Sequence, residues 1–219
     1  MGQSGPGRGR RDQGQGSQGT IGDVAVVRIV GGKFRGKKLK TPEDGSRASA
    51  LRPTSDRARE SIFNILAHGK AAVDLDGITV ADLYCGTGAM GLEAMSRGAG
   101  HGVFADRDPG HLKLARDNAA SMGLWRECLM VGLDCTHLTV PPRAAKAPCG
   151  LVFLDPPYGH GMADPTLRGL LNNRWLTPDA TVVVEIGAEE DLLGSRGFDV
   201  LDERTYGAAK VVFLKRAIS

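Results

Sequence analysis

The chain has 219 residues, of which 41% are apolar and 24% charged, with a formal net charge of +3. That suits one main globular domain with an appendage. No apolar run approaches the ~20 residues of a membrane helix, and the charged N-terminus lacks an apolar signal core, so a cytoplasmic protein is expected.

Residues 1–22, "MGQSGPGRGRRDQGQGSQGTIG", are Gly, Gln, Ser and Arg with almost nothing apolar. Such a segment cannot bury enough surface to order itself and reads as a disordered tail. Residues 23–70 read as a basic module. "VRIVGGKFRGKKLK" alternates apolar and basic residues around "GG" and "RG", which predicts a short β-hairpin or meander. A helix follows, N-capped by Thr54 or Ser55, with Asp56 in its first turn and Ala58, Ile62, Ile65 and Leu66 on one face. Between Arg28 and Arg59 the basic residues are Arg28, Lys33, Arg35, Lys37, Lys38, Lys40, Arg47, Arg52, Arg57 and Arg59, against only Glu43, Asp44 and Asp56. A nearly neutral chain thus concentrates positive charge at its front.

Residues 71–219 alternate strands and helices. "ITVADLYC", "HGVFAD", "ECLMVGLD", "CGLVFLD" and "TVVVEIG" read as strands. "GAMGLEAMSRG", "PGHLKLARDNAASMG" and "PTLRGLLNN" read as helices, and "EEDLLGS" as a short one. Repeated β-α units call for a parallel sheet with right-handed crossovers and helices on both faces. The final "FDVLDERTYGAAKVVFLKRA" reads as two strands joined by a Gly-containing turn, one inserting antiparallel.

"DLYCGTGAMG" contains Gly86-x-Gly88-x-x-Gly91 between a strand and a helix, and Asp106 ends the next strand. The pattern fits a dinucleotide, but a lone glycine fingerprint serves any nucleoside cofactor. Asp82 shifts the balance. A carboxylate beside the loop repels a pyrophosphate, whereas S-adenosylmethionine brings an α-ammonium and a sulfonium. Asp134, after the third strand, stands where an adenine amino group needs an acceptor. Both acids also have a structural alternative, as caps of the loops they enter.

"LVFLDPPYGHG" carries the chemistry. Asp155 ends the fourth strand at the carboxyl edge of the sheet. Pro156 and Pro157 fix the backbone and have no N–H to donate, so the loop presents only acceptors, while Tyr158 offers a flat face. A planar base with an exocyclic amine suits both. Its hydrogens donate to Asp155 and a loop carbonyl, its ring stacks on Tyr158, and its nitrogen is turned for in-line methyl transfer. A stacked target must first flip out.

These stretches resemble a known family. "DLYCGTGAMGLEAMSRGA" and "DPPY" are similar to Rossmann-like, S-adenosylmethionine-dependent amino-methyltransferases. "RIVGGKFRGKKLKTP", "LRPTSDRARESIFNIL" and "RTYGAAKVVFLKR" narrow the likeness to the RsmD family, bacterial methyltransferases of guanine N2 in 16S ribosomal RNA, from about Arg28 to Arg216. The resemblance implies a class I methyltransferase fold with a mostly parallel seven-stranded sheet, and a family target at guanine 966. It implies Asp82, Tyr84, Gly86, Thr87, Gly88, Asp106, Arg107, Asp134 and Cys135 around S-adenosylmethionine, and Asp155, Pro156, Pro157 and Tyr158 at the amine. Arg35, Lys37, Lys38, Arg52 and Thr54 would meet RNA, and Arg52, Pro53 and Thr54 match a family motif beside the active site. The expected partner is 16S rRNA in a 30S subunit or assembly intermediate, and the expected state is a monomer.

DPPY alone is shared with enzymes acting on adenine N6 or cytosine N4. The glycine pattern leaves a nicotinamide dehydrogenase as an alternative, and the basic front leaves a non-catalytic RNA-binding assembly factor. Cys85, Cys128, Cys135 and Cys149 lack metal spacing and read as buried thiols. The five histidines are scattered, so no metal is expected. Trp125 and Trp175 read as packing residues, His160 as a surface loop residue or a border of the pocket, and Glu185, closing "VVVE", as a structural residue or a second polar group near the crevice.

Overall fold

The computed structural model describes residues 1–2, 26–42, 55–192 and 196–217. Most of the 1–22 tail, and Arg52, Pro53 and Thr54, lie outside the described residues.

Seven strands, β1 (Thr79–Leu83), β2 (His101–Asp106), β3 (Cys128–Gly132), β4 (Cys149–Leu154), β5 (Leu176–Gly187), β6 (Phe198–Tyr206) and β7 (Ala209–Arg216), form one sheet in the order β3-β2-β1-β4-β5-β7-β6. The first five run parallel, while β7 inserts antiparallel between β5 and β6. The chain builds outward from β1 through β2 to β3, then returns to place β4 on the other side of β1. That reversal opens a crevice outside the carboxyl ends of β1 and β4, where open α/β sheets bind ligands.

The helices are α1 (Asp56–His68), α2 (Ala89–Ser96), α3 (Pro109–Ser121) and α4 (Ala163–Asn172). Ser55 caps α1 by accepting from the Ala58 amide, with Asp56 in the first turn, and Pro109 opens α3 behind an Asp108 cap. Strand side chains alternate between faces. Ala81, Leu83, Val103, Ala105, Val152, Leu154, Val182 and Val184 form one cluster with Leu167 and Leu170 of α4 and the buried Trp175. On the opposite face Val80, Leu151, Phe153 and Val183 pack with Ile62, Phe63 and Leu66 of α1 and Ala94 and Met95 of α2.

The front segment is a hairpin in outline. Arg28 and Lys38 form an antiparallel bridge, flanked by bonds from Ile29 N to Lys37 O (2.9 Å) and Leu39 N to Val27 O (2.9 Å), around a 3-10 turn at Gly32–Phe34. It shares its core with the main domain. Val27, Ile29 and Leu39 are buried with Leu92 of α2, Phe104 of β2, and Ala115 and Ala119 of α3. Polar groups of α2 hold its turn, with Glu93 accepting from Val30 N (2.7 Å), and Ser96 donating to Gly31 O (2.6 Å) and accepting from Phe34 N (2.9 Å).

Two sequence expectations are corrected. The described part of "EEDLLGS", 189–192, is turn and irregular chain, not helix; Glu190 there accepts from Gly187 N at 3.1 Å, turning the chain back at once. Trp125 is not a packing residue, for it is 58% exposed in the α3–β3 connection, beneath the Arg126 guanidinium.

Candidate active site

Sheet register builds the site. In β1, β2, β4 and β5, Asp82 pairs with Phe104 and Phe153, and Leu154 pairs with Val184. The alternation that sends Val80, Phe104, Phe153 and Val183 to the α1–α2–α3 face continues two residues on. Asp106, Asp82, Asp155 and Glu185 therefore stand on that same face, at the carboxyl ends of four adjacent strands. Neighbouring strands are about 4.8 Å apart, so the four acids line the crevice together, Asp106, Asp155 and Glu185 at one level and Asp82 two residues deeper.

Each acid has its own supports. Asp82, 3% exposed, accepts from Gly91 N in the first turn of α2 at 2.8 Å. Burial, only partly opposed by that bond, pushes its carboxyl up to about 7, with Asp106 adding repulsion. Asp106 accepts from Gly86 N (3.2 Å) and Asp108 N (2.9 Å) and contacts His111 Nδ1 (3.1 Å). Burial would raise its carboxyl, but the His111 contact and the two amides outweigh that and hold it below the usual value. Asp155 continues the strand ladder, its amide donating to Leu83 O at 3.4 Å. Burial, then Glu185, then Asp82 push its carboxyl well above the ordinary range. Glu185, 8% exposed, accepts from the Tyr158 hydroxyl at 2.5 Å.

The glycine loop sits under this row. Tyr84, Gly86 and Gly88 all have positive φ (63°, 50° and 76°). Strain at the non-glycine Tyr84 is the kind of backbone cost found at ligand sites. Its hydroxyl meets Thr166 Oγ1 at 2.7 Å. Gly91 has no room for a side chain, since a Cβ would lie 2.5 Å from the Phe104 ring. Thr87 is buried and its carbonyl accepts from Asn118 Nδ2 at 2.9 Å.

The structure brings Asp82, Tyr84, Gly86, Thr87, Gly88, Asp106 and Asp155 together at the crevice. Pro156 is buried behind Asp155, Pro157 is exposed and Tyr158 half-buried. Cys135 is buried against the Tyr84 backbone. Asp134 is exposed and caps the turn that follows, accepting from Thr136 N (2.9 Å) and Thr136 Oγ1 (2.6 Å), while Arg107 is exposed past β2. Arg35 and Lys38 are exposed on the hairpin and Lys37 is half-buried.

Sequence reasoning favoured a structural role for Glu185 over a place near the crevice, and passed over Asn118 and Glu190. Glu185 was legible from strand parity, since "VVVE" and "LVFLD" end alike. Asn118 and Glu190 gave no signal, because their partners lie far off in the chain.

A row of acids in which, among the described residues, Asp82 and Asp155 form no ion pair suits a cationic nucleoside ligand and repels a pyrophosphate. This fold and this site define a Rossmann-like methyltransferase. The family described as conserved hypothetical protein 95 matches residues 27–215. The ribosomal RNA small subunit methyltransferase D of Escherichia coli is 33% identical over 166 residues, covering 76% of this chain and 77% of its own. That of Haemophilus influenzae is 30% identical, covering 83% and 89%. A solved Escherichia coli structure superposes with a TM-score of 0.71 at 28% identity, covering 89% of this chain and 99% of its own. An RNA methyltransferase from Salinibacter ruber in complex with S-adenosyl-L-homocysteine shares the fold, with a TM-score of 0.54 at 21% identity over 76% and 95%. The chain belongs to the RsmD family of S-adenosylmethionine-dependent ribosomal RNA methyltransferases.

Proposed function

We propose that this chain methylates the exocyclic N2 amine of a guanine in 16S ribosomal RNA, guanine 966 in the family. The observation that carries the reading is Asp155. It stands at the end of β4 in the acid row, before two prolines that offer no N–H and beside an aromatic ring.

When bound, S-adenosylmethionine supplies a methyl group on a sulfonium. The chain's own residues do the rest. Asp82 takes the α-ammonium group, the Gly86–Gly88 backbone lets the cofactor approach closely, and Asp106 accepts from ribose hydroxyls. Arg107, Asp134 and Cys135 border the nucleoside end. The flipped guanine stacks on Tyr158, which returns part of the few kcal/mol spent on unstacking. Asp155 and a loop carbonyl accept from the two amine hydrogens. That withdraws the nitrogen lone pair from the ring and aims it across the crevice. Asp155 then receives the proton the nitrogen sheds. Its raised proton affinity suits it to that role, and the positive charge of the bound cofactor would keep it ionised until then.

Positioning supplies most of the acceleration. Arg35, Lys37 and Lys38 meet phosphates in a salt-dependent way, with Arg52 and Thr54 completing the RNA side. The substrate is 16S rRNA within a 30S subunit or assembly intermediate, and the enzyme acts as a cytoplasmic monomer.

The test is transfer of labelled methyl to undermodified 30S subunits, naked 16S RNA and duplex DNA, with nucleoside digestion of the product. N2-methylguanosine from the ribosomal acceptors is expected, with none from Asp155→Ala. Label on adenine or cytosine would overturn the base assignment. RNA binding without transfer would favour an assembly factor.

A further inference from the structure

The DPPY loop accounts for holding an amine on a flat ring. It does not account for which ring, because adenine N6, cytosine N4 and guanine N2 all satisfy it. The edges of these bases differ beside the amine. Guanine carries a ring N1–H next to its N2 amine, so its edge offers adjacent donors. Adenine and cytosine carry a ring-nitrogen lone pair at the corresponding position, so their edges offer a donor beside an acceptor.

The site has a second carboxylate where that difference is read. Leu154 of β4 pairs with Val184 of β5, so Asp155 and Glu185 are the next residues out on adjacent parallel strands. They stand on one face, and Glu185 acts electrostatically on Asp155. Glu185 also accepts from Tyr158 at 2.5 Å, which ties its carboxylate to the ring on which the base stacks. A carboxylate accepts at about four lone-pair positions, so the Tyr158 bond leaves it able to take a base donor. Two adjacent acceptors match adjacent donors. They oppose a ring-nitrogen lone pair, which would leave buried acceptors facing each other.

We propose that Glu185 selects the base, accepting from N1–H of guanine while Asp155 holds the neighbouring N2 amine. This rests on the methyl-transfer reading above and adds to it the residue that discriminates.

The test uses 16S RNA assembled by ligation, with either guanine or 2-aminopurine at the target position, reconstituted into 30S subunits. 2-Aminopurine keeps the reacting N2 amine but presents N1 as an acceptor. Labelled methyl transfer is measured as kcat/KM for the wild type, Glu185→Gln and Tyr158→Phe. The wild type is expected to prefer guanine by about 10- to 100-fold, the worth of a hydrogen bond to a charged group. In Glu185→Gln the Tyr158 hydroxyl holds the amide oxygen, so the NH2 faces the base. The preference is then expected to vanish or invert. Tyr158→Phe should slow both substrates and leave their ratio unchanged.

A wild type that methylates both RNAs equally would overturn the proposal without any variant. So would a Glu185→Gln enzyme that keeps the wild-type ratio, since Glu185 would then only position Tyr158. A wild type that labels neither RNA overturns the methyl-transfer reading itself, and the proposal with it.

Discussion

Asn118 grips Lys40 by both ends of its backbone, its Oδ1 accepting from Lys40 N at 2.7 Å and its Nδ2 donating to Lys40 O at 3.1 Å. The same amide donates to the Thr87 carbonyl in the glycine loop at 2.9 Å, and Asn118 is 1% exposed. One buried side chain on α3 thus fastens the basic hairpin to the cofactor loop. Asn118→Ala deprives three backbone groups of their partner, one of them, the Thr87 carbonyl, in a buried bond and the two of Lys40 in part-buried ones. A stability loss of about 2–4 kcal/mol is expected from denaturant unfolding. Affinity for S-adenosylhomocysteine should weaken as well. Asn118→Asp keeps the acceptor for Lys40 N but sets a charge against two carbonyls, and should be no better than Ala. A variant as stable as the wild type would show that water replaces these bonds.

Alongside the raised Asp155 carboxyl, Asp82 should contribute strongly to the pH response of the ligand-free enzyme. Its carboxyl is pushed up to about 7 from an unfolded value of 3.8. The folded chain therefore holds that proton more tightly than the unfolded one. This contributes stability below about pH 4, and the contribution drains away as pH rises through about 7. At roughly 1.4 kcal/mol per unit, the loss approaches about 4 kcal/mol. Asp82→Asn should melt higher than the wild type at pH 8 without ligand and show a flatter profile. Ligand binding should run the other way, because the α-ammonium group needs the ionised acid. The wild-type Kd for S-adenosylhomocysteine should tighten from pH 6 to 8, and that of Asp82→Asn should be weak and flat. Equal slopes for the two proteins would remove Asp82 from the cofactor site.

Much of this was legible in the chain itself. Near-continuous apolar runs and glycine-closed helices place β1 to β4 within a residue or two, because parallel strands buried on both faces tolerate little else. Asp82 and Asp155 were legible because a charge at the end of a buried run has few structural uses. Glu185 has the same signature, but with no proline loop behind it the sequence favours a structural role over one near the crevice. The helix expected in "EEDLLGS" is absent from its described residues, 189–192, where the Glu190 side chain ties the turn back. Asn118 was illegible, since nothing in "LARDNAAS" tells a buried amide from a solvent-facing one. Its meaning comes only from Lys40 and Thr87, brought near by the fold.

Two glycines of the hairpin should respond very differently to the same change. Gly32 (φ +72°) lies against α2, where a Cβ would stand 2.0 Å from the Ser96 carbonyl oxygen. Gly36 (φ +85°) has nothing within 4 Å of that position. Gly36→Ala should cost only the left-handed backbone strain, roughly 1–2 kcal/mol. Gly32→Ala adds a backbone collision that no rotamer relieves, and should lose about 3–5 kcal/mol or displace the hairpin. Urea midpoints of the two variants decide the matter, and similar values would mean that the turn does not press on α2 in solution.

Glu190 holds the far end of the DPPY loop. Its Oε1 accepts from Gly159 N at 2.7 Å and from Gly187 N at 3.1 Å, joining the loop after β4 to the turn after β5. Gly159 has a φ of +75°, so the backbone just past Tyr158 is in a conformation with little steric restraint of its own. Glu190→Ala frees that backbone without touching Asp82 or the glycine loop. The chemical step needs Asp155 and Tyr158 aligned to within a fraction of an ångström. Single-turnover methyl transfer should therefore slow by roughly tenfold or more, with affinity for S-adenosylhomocysteine unchanged. Glu190→Gln retains an oxygen acceptor for both amides and should restore most of the rate. If Ala and Gln slow transfer equally, the negative charge rather than the clasp is what matters, and the loop must be held by Tyr158 and Glu185 alone.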